Sequence, residues 1–188
     1  PPRVYKYLKP AVDLLAGIPS IVYGFFGLVV IVPIMRDLFG GNGKSVLTAS
    51  ILLGIMILPT LISVGEASIR AVPESYYEGA LALGATPEET VFKVMLPAAK
   101  SGLTAGVILA IDRSIGEAMA VSMVAGNQPI IPDSLLSGVR TLTANIVLEM
   151  GYAADMHREA LLATGVVLFI FILLINLSFS LLRRRDDK

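Results

Sequence analysis

Asp112, Arg113 and Glu117 put three ionisable groups into AIDRSIGEAMAV, residues 110–121, a stretch that is otherwise apolar. A guanidinium carries a rigid fork of N–H donors that suits an oxyanion. Glu117, at i+4, falls one helical turn from Arg113, where a carboxylate can hold the guanidinium in place and limit how tightly it binds an anion. The chemistry these types suggest is anion recognition without bond breaking. A buried ion pair that only fixes helix register is the alternative. By helical angle Asp112 lies about 160° from Ser114. It is an extra acid that would repel an anion or compete for the guanidinium.

Other chemistries find little footing. GGNGKS, residues 40–45, has the end of a phosphate-binding loop, but Leu38 stands where the pattern G-x-x-x-x-G-K-S needs glycine, and no strand precedes it. It reads as a glycine-rich turn. There is no cysteine and a single histidine, His157, so thiolate chemistry and multi-histidine metal sites are excluded. His157 is expected in an exposed loop. No Ser-His arrangement suggests an intramembrane hydrolase. With 15 basic and 15 acidic residues the chain has no overall charge to attract nucleic acid.

The elements that must position Arg113 and Glu117 belong to a membrane. The chain is 55% hydrophobic and 16% charged, and four apolar runs are long enough to cross a bilayer, which takes roughly 20 helical residues. They are 14–35, 45–64, 101–126 and 161–182, with bends expected at Pro19, Pro33 and Pro59. Ten Lys and Arg flank one side of these spans and four the other, which predicts cytoplasmic termini, a cytoplasmic 65–100 loop and an outward 127–160 loop. Arg113 then falls near the midplane, where insertion costs about 2.5–3.5 kcal/mol and the side chain should face protein or water. Gly102, Gly106, Ala110, Ser114, Ala118, Ser122 and Gly126 form a small-residue ridge that lets another helix approach. In the outward loop, Asp133 can cap an amphipathic or re-entrant helix using Leu135, Leu136, Val139, Leu142, Ile146 and Val147. That helix would serve as a binding-protein platform or simply close the bundle. Arg183, Arg184 and Arg185 are expected to anchor the last span at the inner headgroups.

The loop between the second and third spans is the most specific stretch. In PESYYEGALALGATPEETVFKVMLPAAK, residues 73–100, Pro73 suits a helix start and Gly84 a left-handed helix end. Thr86, Pro87, Glu88 and Glu89 form a capping box that opens a second helix, expected to stop at Pro97.

Glu78, Gly79, Ala80, Gly84, Val94, Leu96 and Pro97 resemble, in register, the EAA loop of ABC-importer permeases, with Gly79 for alanine and Val94 for isoleucine. GIPSIVYGFFG at 17–27, GEAMAVSMVAGN at 116–127 and TLTANIVLEMGYA at 141–153 are similar to the PstC-type permease subunits of bacterial phosphate ABC importers. This resemblance implies an all-α polytopic transmembrane bundle, with 1–188 the C-terminal part of a single permease domain. It also implies a multi-pass subunit of the bacterial cytoplasmic (inner) membrane that moves phosphate. Its partners would be a related permease subunit, forming a heterodimer, ATPase subunits docked on Glu78, Gly79, Ala80, Gly84, Leu96 and Pro97, and an extracytoplasmic phosphate-binding protein. The chain would bind no cofactor and would not be an enzyme; ATP and Mg would be used by the ATPase. Arg113 and Glu117 match an Arg and Glu implicated in phosphate movement, whereas Asp112 replaces a usual glycine. The alternatives are a permease for another oxyanion or small solute, and a membrane scaffold recruiting a soluble partner.

Overall fold

Apolar runs this long must satisfy their backbone groups internally, and helices do so. The computed structural model describes residues 2–186, with side-chain environments for 4–181. The helices are α1 (Pro2–Ala16), α2 (Ser20–Phe39), α3 (Val46–Arg70), α4 (Glu74–Ala82), α5 (Pro87–Ala98), α6 (Lys100–Gly116), α7 (Met119–Val124), α8 (Leu142–Glu149) and α9 (Asp155–Asp186). Among the described residues no strand forms, and Gly126 and Val139 meet only in a lone parallel bridge. Ser20–Phe39, Val46–Arg70 and Asp155–Leu181 are long and apolar enough to cross a membrane, and α5 with α6, bent by 66°, forms a fourth candidate.

Two expected spans are corrected. The first begins at Ser20, not Leu14, because Gly17, Ile18 and Pro19 interrupt the chain and leave α1 as a separate helix. The third is not one helix over 101–126: α6 ends at Gly116, Glu117 is extended (φ −72°, ψ 120°), and α7 starts at Met119. Pro59 lies inside α3 without interrupting it.

Pro33 and Pro97 share one accommodation. A proline ring collides with the carbonyl four residues back, but a wider π turn displaces that carbonyl. Each proline follows such a turn, Gly27–Ile31 or Val91–Met95, closed by Val32 N–H donating to Gly27 O or Leu96 N–H to Val91 O. The helix therefore continues through Pro97 to Ala98 rather than stopping there, and the chain turns at Ala99.

The core joins α2, α3 and α7 through Tyr23, Ile31, Met35, Leu52, Met56 and Val124. Gly24 permits this: a Cβ there would lie 2.8 Å from Ala120 Cα. The start of α3 is closed by local and distant partners together. Ser45 Oγ accepts from Thr48 N–H, while the Val46 and Leu47 N–H groups donate to Ser137 O and Leu135 O. The donors at this helix start are thus committed, and GGNGKS serves as a turn.

The small-residue ridge faces α3 along α6. A Cβ on Gly102 would lie 2.7 Å from Ser68 Cβ, and one on Gly106 would lie 2.9 Å from Val64 Cγ1. Ala110 is buried. Gly102→Leu is therefore expected to destabilise the bundle by about 1–3 kcal/mol. A lower melting temperature of the purified assembly would register it; an unchanged one would mean that α3 and α6 do not press together at this point.

Beyond α7 the expected helix from Leu135 does not form. Residues 127–141 are irregular, Ser137 Oγ donates to Asp133 Oδ1 in a turn, and the helix cap is Thr141, whose hydroxyl accepts from Ala144 N–H. The helix that forms is α8. His157 stands in the first turn of α9 rather than in a loop. The side chains of Arg183, Arg184 and Arg185 lie outside the described residues.

Candidate functional site

Two places hold the residues singled out by sequence: the α4–α5 hairpin and the break after α6. In the hairpin, α4 ends in a Schellman arrangement, with Gly84 at φ +89°, Gly84 N–H donating to Leu81 O and Ala85 N–H to Ala80 O. Thr86 Oγ1 accepts from Glu89 N–H at 3.2 Å and Glu89 Oε2 accepts from Thr86 N–H at 3.3 Å, so the capping box forms. Pro87 opens α5. Glu78 and Gly79 are exposed on α4, Leu96 is half-buried and Pro97 is exposed. Around the turn Leu83 (91%) and Phe92 (69%) are bare. A hairpin with closed ends and uncovered apolar side chains can transmit force and offers a contact face.

Lys93 and the Thr86 backbone N–H hold the Glu89 carboxyl below its usual range. Because the folded value is lowered, this support is present above the ordinary carboxylate range and is lost as pH falls through the folded value. Amide protection at the start of α5, corrected for the intrinsic pH dependence of exchange, is expected to fall as acid protonates Glu89. Thr86→Ala should lower that protection about fivefold at neutral pH. Equal exchange in variant and parent would contradict the capping role.

At the break, Arg113 occupies the last turn of α6. Its side chain is exposed, and Nη1 lies 3.4 Å from Thr60 Oγ1 on α3. Glu117 does not pair with it: among the described residues no ion pair joins them. The i+4 geometry expected of a continuous helix is lost where the helix stops. Glu117 Oε1 instead accepts from Ala120 N–H (3.0 Å) at the start of α7, and its carbonyl accepts from Thr143 Oγ1 (3.1 Å) of α8. One side chain and one backbone group of Glu117 thereby fix the orientation of both neighbouring helices. Asp112 Oδ1 is buried without a hydrogen-bond partner. Among the described residues no carboxylate pairs with the Arg113 guanidinium, which leaves donors for an anion.

Sequence reading missed two clusters. Tyr5 Oη donates to Glu66 Oε1 (2.6 Å), Lys9 Nζ sits 3.1 Å from Glu66 Oε2 and Arg70 Nε 2.8 Å from Oε1, tying α1 to α3. At the opposite end Arg140 bridges Asn127 O, Asn145 Oδ1 and Glu149 Oε1, while His157 Nε2 lies 3.6 Å from Glu149 Oε2. Asn127 adopts φ +53°, a left-handed state that asparagine tolerates. Residues 61 apart, as Tyr5 and Glu66 are, leave no periodic signal.

A family model described as "Binding-protein-dependent transport system inner membrane component" matches residues 1–187. The probable ABC transporter permease protein YqgH of Bacillus subtilis (strain 168) is 44% identical over 178 residues, covering 91% of this chain and 58% of that protein. The phosphate transport system permease protein PstC of Xylella fastidiosa (strain Temecula1) is 38% identical over 195 residues, covering 92% and 60%. The chain thus spans about three fifths of the length of these curated relatives. An inward-facing MetNI methionine ABC transporter contains a chain that superposes with TM-score 0.74 at 23% identity, covering 97% of this chain and 76% of that one. At that identity the likeness concerns the fold.

Proposed function

The chain belongs to the family of binding-protein-dependent transport system inner membrane components, and from that premise we propose that it is a permease subunit of an ATP-driven phosphate importer. The observation that carries the reading is mechanical. Helices α5 and α6 meet at a 66° bend, so the α4–α5 hairpin connects directly to a helix whose far end carries Arg113 beside the break. An ATPase seated on Leu83, Phe92 and the Glu78–Ala80 face would move α6 as its nucleotide state changed, and with it the guanidinium. Alternating access needs such a link, because a nucleotide shifts the bundle only by favouring one of its orientations.

In this reading the hairpin faces the cytoplasm, both ends of the chain are cytoplasmic, and the 127–160 segment faces outward to meet a phosphate-binding protein. A related permease subunit supplies the other wall of the path. ATP and Mg act on the ATPase subunits. Arg113 donates charge-assisted hydrogen bonds to a passing phosphate, and Glu117 sets the shape of the break. The substrate follows the names of the PstC relatives, the binding protein the description of the family, and the ATPase the ABC transporter named in the YqgH relative.

The test is uptake by the complete transporter reconstituted in vesicles with its ATPase and binding protein. Expected is ATP-dependent accumulation of phosphate, displaced by arsenate and not by sulfate. Accumulation of another solute with no phosphate uptake would assign a different substrate, and binding of partners with no transport would favour a scaffold.

A further inference from the structure

Beside the break lies a partly enclosed cavity of about 210 Å³, walled by α3, α6, α7 and the segment leading into α8. Its polar wall groups are Ser50, Ser114, Glu117, Thr141 and Thr143. Each hydroxyl proton is already committed. Ser50 Oγ donates to Val46 O (2.8 Å), Ser114 Oγ to Ala110 O (2.9 Å) and Thr143 Oγ1 to Glu117 O (3.1 Å). In the 3.1 Å contact between Thr141 and Thr143, Thr141 is then the donor. What these hydroxyls offer the cavity is lone pairs, together with the carboxylate of Glu117, one of whose oxygens takes the Ala120 N–H.

These groups repel an anion and attract a small cation. The C-terminus of α6 brings the negative end of its dipole to the chamber, while the opposing starts of α7 and α8 are capped by the Glu117 carboxylate and the Thr141 hydroxyl. Hydroxyls and half-helix C-termini at broken membrane helices provide the chemistry of a sodium site. A divalent ion would lack charge compensation, since Glu117 is the one carboxylate on the wall. Among the described residues no group of three or more His, Cys, Asp or Glu gathers that could hold a metal ion.

We propose that this chamber is a binding site for a small monovalent cation of the sodium class, held by the Glu117 carboxylate and the Ser50, Ser114, Thr141 and Thr143 oxygens. Occupancy would neutralise Glu117 beside the path and so lessen its repulsion of the anion that Arg113 binds. That role rests on the transport reading above; the binding itself does not.

The experiment melts the purified complete transporter in choline chloride at fixed ionic strength while NaCl or KCl replaces the choline salt. Expected is a rise in Tm of about 2–4 °C with sodium at saturation and a smaller one with potassium. Glu117→Gln should abolish the rise. So should the double change Ser50→Ala with Ser114→Ala, which puts good helix formers at two helical positions and preserves the parent Tm in choline. Equal Tm in all three salts, or a sodium shift that survives both variants, would overturn the site and leave the chamber to water. Phosphate uptake without a sodium shift removes the site but not the transport reading. A sodium shift without phosphate uptake does the reverse.

Discussion

Arg113→Ala is expected to lower phosphate uptake by the complete transporter by roughly tenfold to a hundredfold, the equivalent of one charge-assisted hydrogen bond at about 1.5–3 kcal/mol. The assembly should survive, because the guanidinium is exposed and its described contact is a 3.4 Å approach to the neutral Thr60 hydroxyl. Removing it strands no buried carboxylate, which is where the large stability costs of broken ion pairs arise. Arg113→Lys should fall between parent and alanine variant, since it keeps the charge but loses the planar fork. Uptake assays on variants with matched membrane abundance give the comparison. Normal uptake by the alanine variant would remove Arg113 from the path.

Gly84→Pro is expected to reduce uptake at least about tenfold while ATP hydrolysis continues and the chain still inserts. Proline fixes φ near −65°, and Gly84 sits at +89° with its N–H donating to Leu81 O. The substitution therefore removes a hydrogen bond and forces a new direction on the chain between α4 and α5, at a cost of about 3 kcal/mol or more. Insertion should be spared because α3 and α6 meet elsewhere, at Ser68 and Gly102. Gly84→Asn is the milder partner, since asparagine visits left-handed backbone. Wild-type coupling in the proline variant would show that the hairpin does not carry the signal.

How much of this was legible from sequence depends on the range of the interactions involved. The Thr86–Glu89 capping box and the left-handed Gly84 are set within a few residues, and both form as read. The ridge through Gly102, Gly106 and Ala110 also faces a neighbour, because helical spacing alone puts those residues on one face. It fails beyond Gly116, where the period ends with the helix. In GEAMAV Gly116 is the one weak local mark of that break; alanine, methionine and glutamate all favour helix. It is held from afar, by Thr143 of α8 on the Glu117 carbonyl and by Gly24 of α2 against Ala120. For the same reason the partner of Arg113 was misread. An i+4 rule holds only along an unbroken helix, and the contact that forms is with Thr60, 53 residues away.

The central claim is that the break at Glu117 lines a path opened alternately to each side by the nucleotide state of an ATPase on the hairpin. The chain contains no cysteine, and a Cβ at Gly116 meets nothing within 4 Å, so Gly116→Cys places a single reporter at the break. Its reaction with a membrane-impermeant thiol reagent should be measured from each face of vesicles holding an otherwise cysteine-free complete transporter, nucleotide-free and ATP-trapped. The account predicts labelling from the cytoplasmic face without nucleotide and from the outer face in the trapped state. Labelling that ignores nucleotide, or none from either face, would contradict it.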